Sequence, residues 1–423
     1  LFAESMGYDA CIAAILASSP MTQLGFDPAR LARIGRHFAA YVDDGRLPGW
    51  QVQLSRHGEI AYRENYGWRD VENQLPVEDD TVFRIYSMTK PITTVAAMML
   101  YEEGRFELTD PVAKYLPAFA RMQVLTGGTA LKPALRPATG PMRIMHLLNH
   151  TSGLTYGFHH VHVQDEMYRN AGYEWGAPKG HTLAQCVQDW ARLPLRFDPG
   201  TRWNYSVATD VLGHLVEVIS GQSLEQFFDE RIFAPLGMKD TALRLHGDKG
   251  KRLGVRLAAL YVPGEQGRAT RFEDPLARGE AGFLSGGGGL LSTTADYHRF
   301  TQMLLRGGEW GGQRLLGSRT LRYMTTNSLP GGQDLRQFGI PLFAEVGFDG
   351  QGFGLGFSVL QDPMAAATLG SKGEYAWGGA ASTAFWVDPA EQITCIFMTQ
   401  LLPSSTYPLR TQLRQLVYSA LVD

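Results

Sequence analysis

The sequence predicts an α/β protein in which strand and helix patterns at both ends of the chain enclose a mainly helical middle. Three observations support this: an apolar alternation near the start, helical patterns separated by Pro and Gly over 105–280, and strand patterns near the end. This order is typical of a sheet-containing domain with a helical insertion. We therefore predict an α/β domain from residues 21–86 and 281–423, and a mainly helical domain from 87–280.

The first predicted elements are a helix and a β-hairpin. The Asp27-Pro28 pair supplies a cap and a first helical residue, and apolar residues follow at helical spacing. Apolar residues then alternate on both sides of His57-Gly58, as in a hairpin. Residues 1–20 lack the basic stretch of a signal peptide, so we expect a leader or extension outside the fold and a cytoplasmic location.

A strong helix is predicted over residues 89–104, TKPITTVAAMMLYEEG, because its middle is almost wholly apolar and Gly104 can end it. Strand patterns return in GFGLGFSVL, in the stretch around EYAWGGAAS and in TAFWVDPAEQITCIFMTQ. The closing segment, PLRTQLRQLVYSALVD, is predicted to be a helix.

The composition excludes several classes of function. The 423 residues are 44% hydrophobic and 19% charged, with a net charge of -3, whereas a nucleic-acid binder normally shows a basic excess. No apolar run approaches the roughly 18 residues of a membrane span. The three cysteines form no C-x-x-C pair, so neither a zinc site nor a disulfide framework is indicated. We expect no metal, cofactor, nucleic acid or membrane span.

The only Ser-x-x-Lys of the chain, SMTK at 87–90, suggests a nucleophile with its own base. Residues three apart on a helix lie on the same face, with roughly 5–6 Å between their Cβ atoms. A serine hydroxyl needs a neighbour that takes its proton, and a buried lysine, or a tyrosine beside it, can do so. The alternative is that Ser87 caps the helix and Lys90 is solvated. The apolar neighbours favour catalysis, because a buried lysine needs a partner.

Two later stretches carry further candidates. Tyr205, in PGTRWNYSVATD, precedes a predicted helix in a loop, where a side chain can be aimed into a cleft. Gly378 and Gly379 lie within a strand pattern, where glycine often marks the close approach of a backbone or ligand. A substrate carbonyl held against the strand edge would need that clearance.

Together, Ser87-x-x-Lys90, Tyr205-Ser206-Val207 and Trp377-Gly378-Gly379 resemble the three ordered motifs of the serine β-lactamase and penicillin-binding-protein superfamily. The resemblance covers residues 21–423 and is strongest to the class C β-lactamases and family VIII carboxylesterases. It is supported by LLNHTSGL, FDPGTRWNYS, APLGM and GGGGLLSTTADYHRF. It implies an antiparallel sheet flanked by helices, an inserted helical domain and an active site between them.

The resemblance also implies a role for each matching residue. Ser87 corresponds to the acylated nucleophile, and Lys90 and Tyr205 to the general acid/base pair. The N–H groups of Ser87 and Ala380 correspond to the oxyanion hole, which can stabilise an acyl-transfer transition state by several kcal/mol. The implied partners are small-molecule esters or β-lactams.

Two departures from the β-lactamase motifs favour an esterase. Val207 stands where β-lactamases have Asn, and Trp377-Gly378-Gly379 replaces Lys-Thr-Gly, which removes a cation and a hydroxyl that bind a substrate carboxylate. We expect Trp377, Gly378, Gly379, Val207 and Tyr156 to contact substrate. The expected activity is hydrolysis of short-chain acyl esters, with slow hydrolysis of β-lactams such as cephalosporins as a side activity.

Alternative functions remain open on the same fold. A class C-like β-lactamase, a D-aminopeptidase or a DD-peptidase would use the same serine, although the missing cation and export signal argue against them. A silent binding protein would have no need of all three catalytic residues.

Other polar motifs have structural interpretations. His150 is expected to be structural because no serine lies in a Gly-x-Ser-x-Gly motif. HHVH at 159–162 fits a cleft-lining loop better than a metal site. SGGGG at 285–289 fits a turn before a strand, because no Gly-Lys-[Ser/Thr] follows.

Overall fold

A computed structural model describes residues 20–273 and 283–423. Of the predicted leader, residues 1–19 lie outside the described part. The α-helices are α1 Pro20–Gln23, α2 Pro28–Asp43, α3 Thr89–Glu102, α4 Ile144–Leu148, α5 Val163–Asn170, α6 Leu183–Trp190, α7 Ala208–Ser220, α8 Leu224–Phe228, α9 Ala234–Leu236, α10 Gly247–Gly254, α11 Thr294–Leu305, α12 Ser318–Met324, α13 Leu335–Phe338 and α14 Leu409–Tyr418.

The strands pair into one large sheet and several two-stranded ribbons. They are β1 Gly49–Arg56, β2 Glu59–Asp70, β3 Leu75–Pro76, β4 Phe83–Arg84, β5 Gln123–Gly128, β6 Pro133–Pro137, β7 Leu260–Pro263, β8 Ala269–Phe272, β9 Leu291–Ser292, β10 Glu309–Trp310, β11 Gln313–Arg314, β12 Gln351–Phe353, β13 Ser358–Leu360, β14 Tyr375–Gly378, β15 Ala384–Asp388 and β16 Ile393–Met398.

The large sheet is antiparallel and is built from both ends of the chain, as the sequence predicts. Its eight strands follow the order β12-β13-β14-β15-β16-β1-β2-β3. Strand β1 pairs with β2 on one side and with β16 on the other. The N-terminal hairpin is therefore joined directly to the C-terminal strands, and β15 and β16 separate β14 from β1.

The predicted hairpin and helices are confirmed. His57 and Gly58 adopt φ values of 53° and 86°, so the two-residue turn that joins β1 to β2 uses the left-handed region that glycine tolerates. Helix α2 is capped by the Asp27 side chain, which accepts from the N–H groups of Ala29 and Arg30. The closing segment forms α14.

Apolar side chains of the sheet alternate between two cores. On β15, Trp386 joins the core that contains residues of α2 and α14, whereas Phe385 and Val387 join the core on the opposite face. This is the period of two expected of a strand buried on both faces. The sheet thus lies between a thin layer of terminal helices and the larger helical body that carries the site.

Helix α3 forms the centre of the larger core. Its residues 89–100 are all buried, and α3 packs closely against α7. Gly104, with φ of 68°, follows its C-terminal cap as predicted. The cluster around α3 includes side chains from both predicted domains, such as Leu212 and Phe385. The division at residues 87 and 280 therefore stays a prediction.

Candidate active site

Ser87 lies at the point where a short 3-10 turn becomes a long buried helix. The turn spans Tyr86–Met88 and runs directly into α3. Because Lys90 belongs to the first turn of α3, its side chain points back along the same face. Its Nζ donates a hydrogen bond to Ser87 Oγ at 3.1 Å. The spacing in SMTK therefore brings amine and hydroxyl together, as the sequence predicts.

Tyr205 approaches Ser87 from the loop before α7. Its phenol O–H donates to Ser87 Oγ at 2.6 Å, across 118 positions of sequence. The carbonyl oxygen of Tyr205 lies 2.8 Å from Nε2 of the buried His159, which fixes the loop from behind. The structure thus brings Ser87, Lys90 and Tyr205 into one hydrogen-bonded group, although their catalytic roles stay predictions.

The Lys90 ammonium is held in a dry, mostly uncharged environment. The residue is 2% exposed, and Nζ also donates to the carbonyl oxygen of Gly287 at 2.7 Å. Nζ lies 4.6 Å from the ring centre of Tyr205 and 5.4 Å from that of Tyr156. Burial lowers the pKa of Lys90 to about 8, because removal from water disfavours the charged form. An amine with this pKa can accept a proton near neutral pH.

Asp210 supports Lys90 indirectly, and sequence reasoning missed it. Its carboxylate, buried on α7, accepts from Ser285 Oγ at 2.6 Å and from the Gly287 N–H at 2.9 Å. Asp210 thus holds in place Gly287, whose carbonyl oxygen accepts the hydrogen bond from Lys90 Nζ. Its charge also raises the pKa of Lys90, in opposition to burial, as does that of Glu345. The feature of the sequence that could have identified Asp210 is an acid on an otherwise apolar face of the predicted helix.

The Gly-rich stretch forms the predicted turn and has an unpredicted second role. Residues 286–288 make a turn that leads into β9. Besides Gly287, Gly286 contributes a carbonyl oxygen, which accepts from Thr93 Oγ1 at 2.6 Å. A Cβ at Gly287 would lie 2.4 Å from Asp210 Oδ2, so the turn can pass this close only with glycine.

The end of β14 lies against the chain just before Ser87. A Cβ at Gly379 would lie 2.3 Å from the carbonyl oxygen of Ile85, a distance that real Cβ atoms do not reach. The Gly379 N–H donates to Thr383 O at 2.9 Å, which closes a tight turn around Ala380. The close approach supports the oxyanion-hole assignment of the Ser87 and Ala380 N–H groups, which stays a prediction.

The other predicted substrate contacts surround Tyr205. The rings of Tyr156 and Trp377 lie 5.2 and 5.4 Å from the Tyr205 ring, both edge-on. Trp377 is 2% exposed and Val207 is 4% exposed, so both support the Tyr205 segment from within the protein. Tyr156 is only partly buried. Their contact with substrate stays a prediction.

His150 has the structural surroundings that the sequence suggests. It is buried, its Nδ1 lies 3.3 Å from Ser206 Oγ, and its ring packs edge-on against Tyr205 at 5.1 Å. Burial holds the pKa of His150 well below its usual value. Within the described residues, no group of three or more His, Cys, Asp or Glu side chains is placed to hold a metal ion. No helix in the described part of the chain combines the length and apolarity needed to cross a membrane.

Comparison with known proteins agrees with the three motifs and the sheet. The Beta-lactamase family model matches residues 34–419. Esterase EstB of Burkholderia gladioli is 31% identical over 418 residues, covering 95% of this chain and 99% of the esterase. Monacolin J acid methylbutanoyltransferase of Aspergillus terreus is 30% identical over 385 residues, covering 86% of this chain and 89% of the transferase.

The fold matches solved structures over nearly its whole length. EstCE1, described as a hydrolase with promiscuous acyltransferase activity, superimposes with a TM-score of 0.78 at 27% identity, covering 92% of this chain and 99% of that one. These matches confirm the predicted resemblance to the serine esterases of the β-lactamase and penicillin-binding-protein superfamily. The chain is a serine hydrolase that belongs to the Beta-lactamase family.

Proposed function

We propose that this protein is a carboxylesterase that hydrolyses short-chain acyl esters through an acyl-Ser87 intermediate. One observation carries the proposal: Ser87 Oγ receives hydrogen bonds from both Lys90 Nζ, at 3.1 Å, and the Tyr205 phenol, at 2.6 Å. A hydroxyl with two proton-transfer groups at hydrogen-bond distance is the arrangement that an activated nucleophile requires. The esterase relatives support the same reaction.

Lys90 is the better candidate for the base that takes the Ser87 proton. Its pKa is lowered to about 8, so a useful fraction is neutral near pH 7. Burial, and then the charge of Glu345, instead hold the pKa of Tyr205 well above its usual value. The phenol therefore stays protonated and is suited to donate a proton.

The reaction can then be written with its protons balanced. Neutral Lys90 accepts the Ser87 proton while Oγ attacks the ester carbonyl, and the N–H groups of Ser87 and Ala380 stabilise the oxyanion. The tetrahedral intermediate collapses when the leaving alkoxide takes the proton of Tyr205, which Lys90 replaces. In the second half of the reaction, neutral Lys90 accepts a proton from water while the water oxygen attacks the acyl-Ser87 ester. Ser87 Oγ then leaves with a proton from Tyr205, which Lys90 replaces. The products are a carboxylic acid, an alcohol and free enzyme.

An alcohol can replace water in the second half of the reaction. Acyl transfer to an alcohol needs the same serine ester and the same proton path, and only the acceptor differs. The methylbutanoyltransferase relative and the promiscuous acyltransferase activity of EstCE1 support this second outcome. We therefore propose acyl transfer as a side reaction when alcohol competes with water.

Neutral esters are the proposed substrates, with cephalosporin-type β-lactams hydrolysed slowly. The group around Ser87 is backed by aromatic rings, because Tyr156 and Trp377 pack against Tyr205, and Val207 offers no side-chain hydrogen bond. A β-lactam opens through the same acyl-serine, but its carboxylate requires a cation. A D-amino-acid peptidase would face the same requirement.

Labelling with an active-site-directed p-nitrophenyl phosphonate tests the nucleophile. We expect stoichiometric release of nitrophenolate, loss of esterase activity and a mass increase on the peptide that contains Ser87. The S87A variant should release none above background, and the S152A variant should react normally. Label on another residue, with S87A still active, would contradict the proposal.

A further inference from the structure

A cation lies beside the third motif, although the motif itself has lost its lysine. Arg410, the second residue of α14, donates from Nη2 to the carbonyl oxygens of Gly379 and Thr383, both at 2.9 Å. A Cβ at Gly378 would lie 2.4 Å from the guanidinium carbon. Gly378 and Gly379 therefore lie directly against a positive charge, within the motif whose Lys-Thr-Gly counterpart binds a substrate carboxylate in β-lactamases.

This cation is already neutralised from within the protein. The Glu345 carboxylate accepts from Arg410 Nη2 at 2.7 Å, and the Glu345 carbonyl oxygen accepts from Nη1 at 2.6 Å. Ser404 Oγ donates to the same carboxylate at 3.0 Å. The Glu345 side chain is 1% exposed, whereas that of Arg410 is 24% exposed. Two contacts to its carboxylate and one to its carbonyl oxygen thus fix Glu345, and Arg410 is the more exposed member of the pair.

The segment that carries Glu345 lies close to the reacting groups. It belongs to residues 339–350, which join α13 to β12. Nearby Phe343 contacts the ring of Phe158, which stacks on Tyr156 at 4.7 Å. Burial raises the pKa of Tyr205, and the Glu345 charge raises it further. Burial lowers the pKa of Lys90, and the charges of Asp210 and then Glu345 oppose that shift. The electrostatic effect of Glu345 therefore reaches the atoms around Ser87.

We propose that Glu345 is a specificity-determining residue: its carboxylate occupies the anion position beside Arg410 and so excludes substrates that carry a carboxylate near the reacting carbonyl. The inference rests on the proposed esterase function of Ser87. A guanidinium that is paired at short range offers little net attraction to a second anion, and the Glu345 charge repels it. This exclusion does not act on neutral esters, because they carry no negative charge and need no cation.

A variant that removes the Glu345 charge but keeps the shape of the side chain should bind and hydrolyse anionic esters better. In E345Q the amide oxygen can still accept from Arg410, but the guanidinium keeps its net charge. We expect kcat/KM for an anionic ester, relative to a neutral one of the same size, to rise at least about tenfold. The E345Q/R410Q double variant should lose this gain, because the unpaired cation is then absent.

Mono-(4-nitrophenyl) succinate and its methyl ester are the matched anionic and neutral substrates, and nitrocefin is the anionic β-lactam. The control is E374Q, because Glu374 is a buried acid, 2% exposed, that pairs with Arg414 on the same helix as Arg410. It should leave the anionic-to-neutral ratio at the wild-type value. An E345Q ratio within about twofold of wild type, with turnover of the methyl ester intact, would overturn the proposal.

The wild-type protein provides a second test, which does not depend on whether a variant folds. It should prefer the methyl ester over the half ester by at least about tenfold in kcat/KM. Equal use of both esters would overturn the role of Glu345 while leaving the esterase intact. Failure of wild-type protein to turn over either ester would instead contradict the proposed function of Ser87.

Discussion

Lys90 Nζ lies 3.1 Å from Ser87 Oγ in a side chain that is almost fully excluded from water. A lysine this deeply buried is uncommon, because the ammonium loses its hydration. Here a backbone carbonyl, two aromatic rings and the charge of Asp210 replace part of that hydration. The remaining penalty lowers the pKa, and this makes the amine usable as a base.

The first prediction concerns the dependence of activity on pH. Lys90 must be neutral to accept the Ser87 proton, and it is protonated below its pKa of about 8. Activity should therefore be low in acid and rise with pH, and kcat/KM for a neutral ester should show an apparent pKa near 8. Measurement of initial rates from about pH 5.5 to about pH 9.5 checks this. A flat profile over that range would exclude Lys90 as the base.

The second prediction is a shift of that profile in D210N. The charge of Asp210 raises the pKa of Lys90, so its removal should move the rise in activity to lower pH. The amide oxygen can still accept from Ser285 and Gly287, so the plateau rate should fall less than about tenfold. E217Q, on the same helix, is the control and should keep the wild-type profile. A D210N profile that is unmoved, or moved to higher pH, would contradict the electrostatic role.

The third prediction separates the Tyr205 hydroxyl from its ring. Y205F removes the donor to Ser87 but keeps the ring that packs between Tyr156 and Trp377. We expect kcat to fall by roughly 10²–10⁴ with a small change in KM, because proton transfer is lost and binding is not. Thermal unfolding should be close to that of wild type. A kcat within about tenfold of wild type would mean that the hydroxyl is not essential.

The fourth prediction concerns stability around the third motif. Trp377 is 2% exposed and packs against Tyr205 and Phe353, so W377A should lower the free energy of unfolding by about 3–5 kcal/mol. W175A, at a tryptophan that is 66% exposed, is the matched control and should change it by about 1 kcal/mol or less. Urea unfolding monitored by circular dichroism measures both. Equal effects in the two variants would contradict the supporting role of Trp377.

Local sequence patterns predicted the helices and strands well, because the spacing of apolar residues indicates which side chains of each element are buried. The His57-Gly58 turn, the buried helix that begins at Thr89 and the C-terminal strands all follow from short stretches of sequence. The Ser87–Lys90 contact also follows from helix geometry, since the two residues are one turn apart. The approach of Tyr205 required the family resemblance, because no local pattern relates positions 87 and 205.

The contacts that the supporting charges of the site make could not be read from the sequence. Asp210 acts through the backbone of Gly287, and Glu345 acts on a residue 65 positions away. Asp210 differs from its helix neighbours only in being an acid on an apolar face, Glu345 lies in none of the motifs, and both contacts depend on how loops close over the core. The same holds for Arg410, which the sequence shows only as one of several polar residues on a terminal helix. Long-range pairing of ordinary residues leaves no local pattern.

The most direct test compares esters and β-lactams on one preparation of enzyme. Steady-state kcat/KM is measured for a series of p-nitrophenyl acyl esters, for nitrocefin and for a cephalosporin, with S87A as the control. We predict that kcat/KM is much higher for short esters than for either β-lactam, and that S87A hydrolyses neither esters nor β-lactams. β-Lactam turnover equal to or above that of the esters, or ester turnover that survives in S87A, would contradict the assignment of a Ser87 esterase.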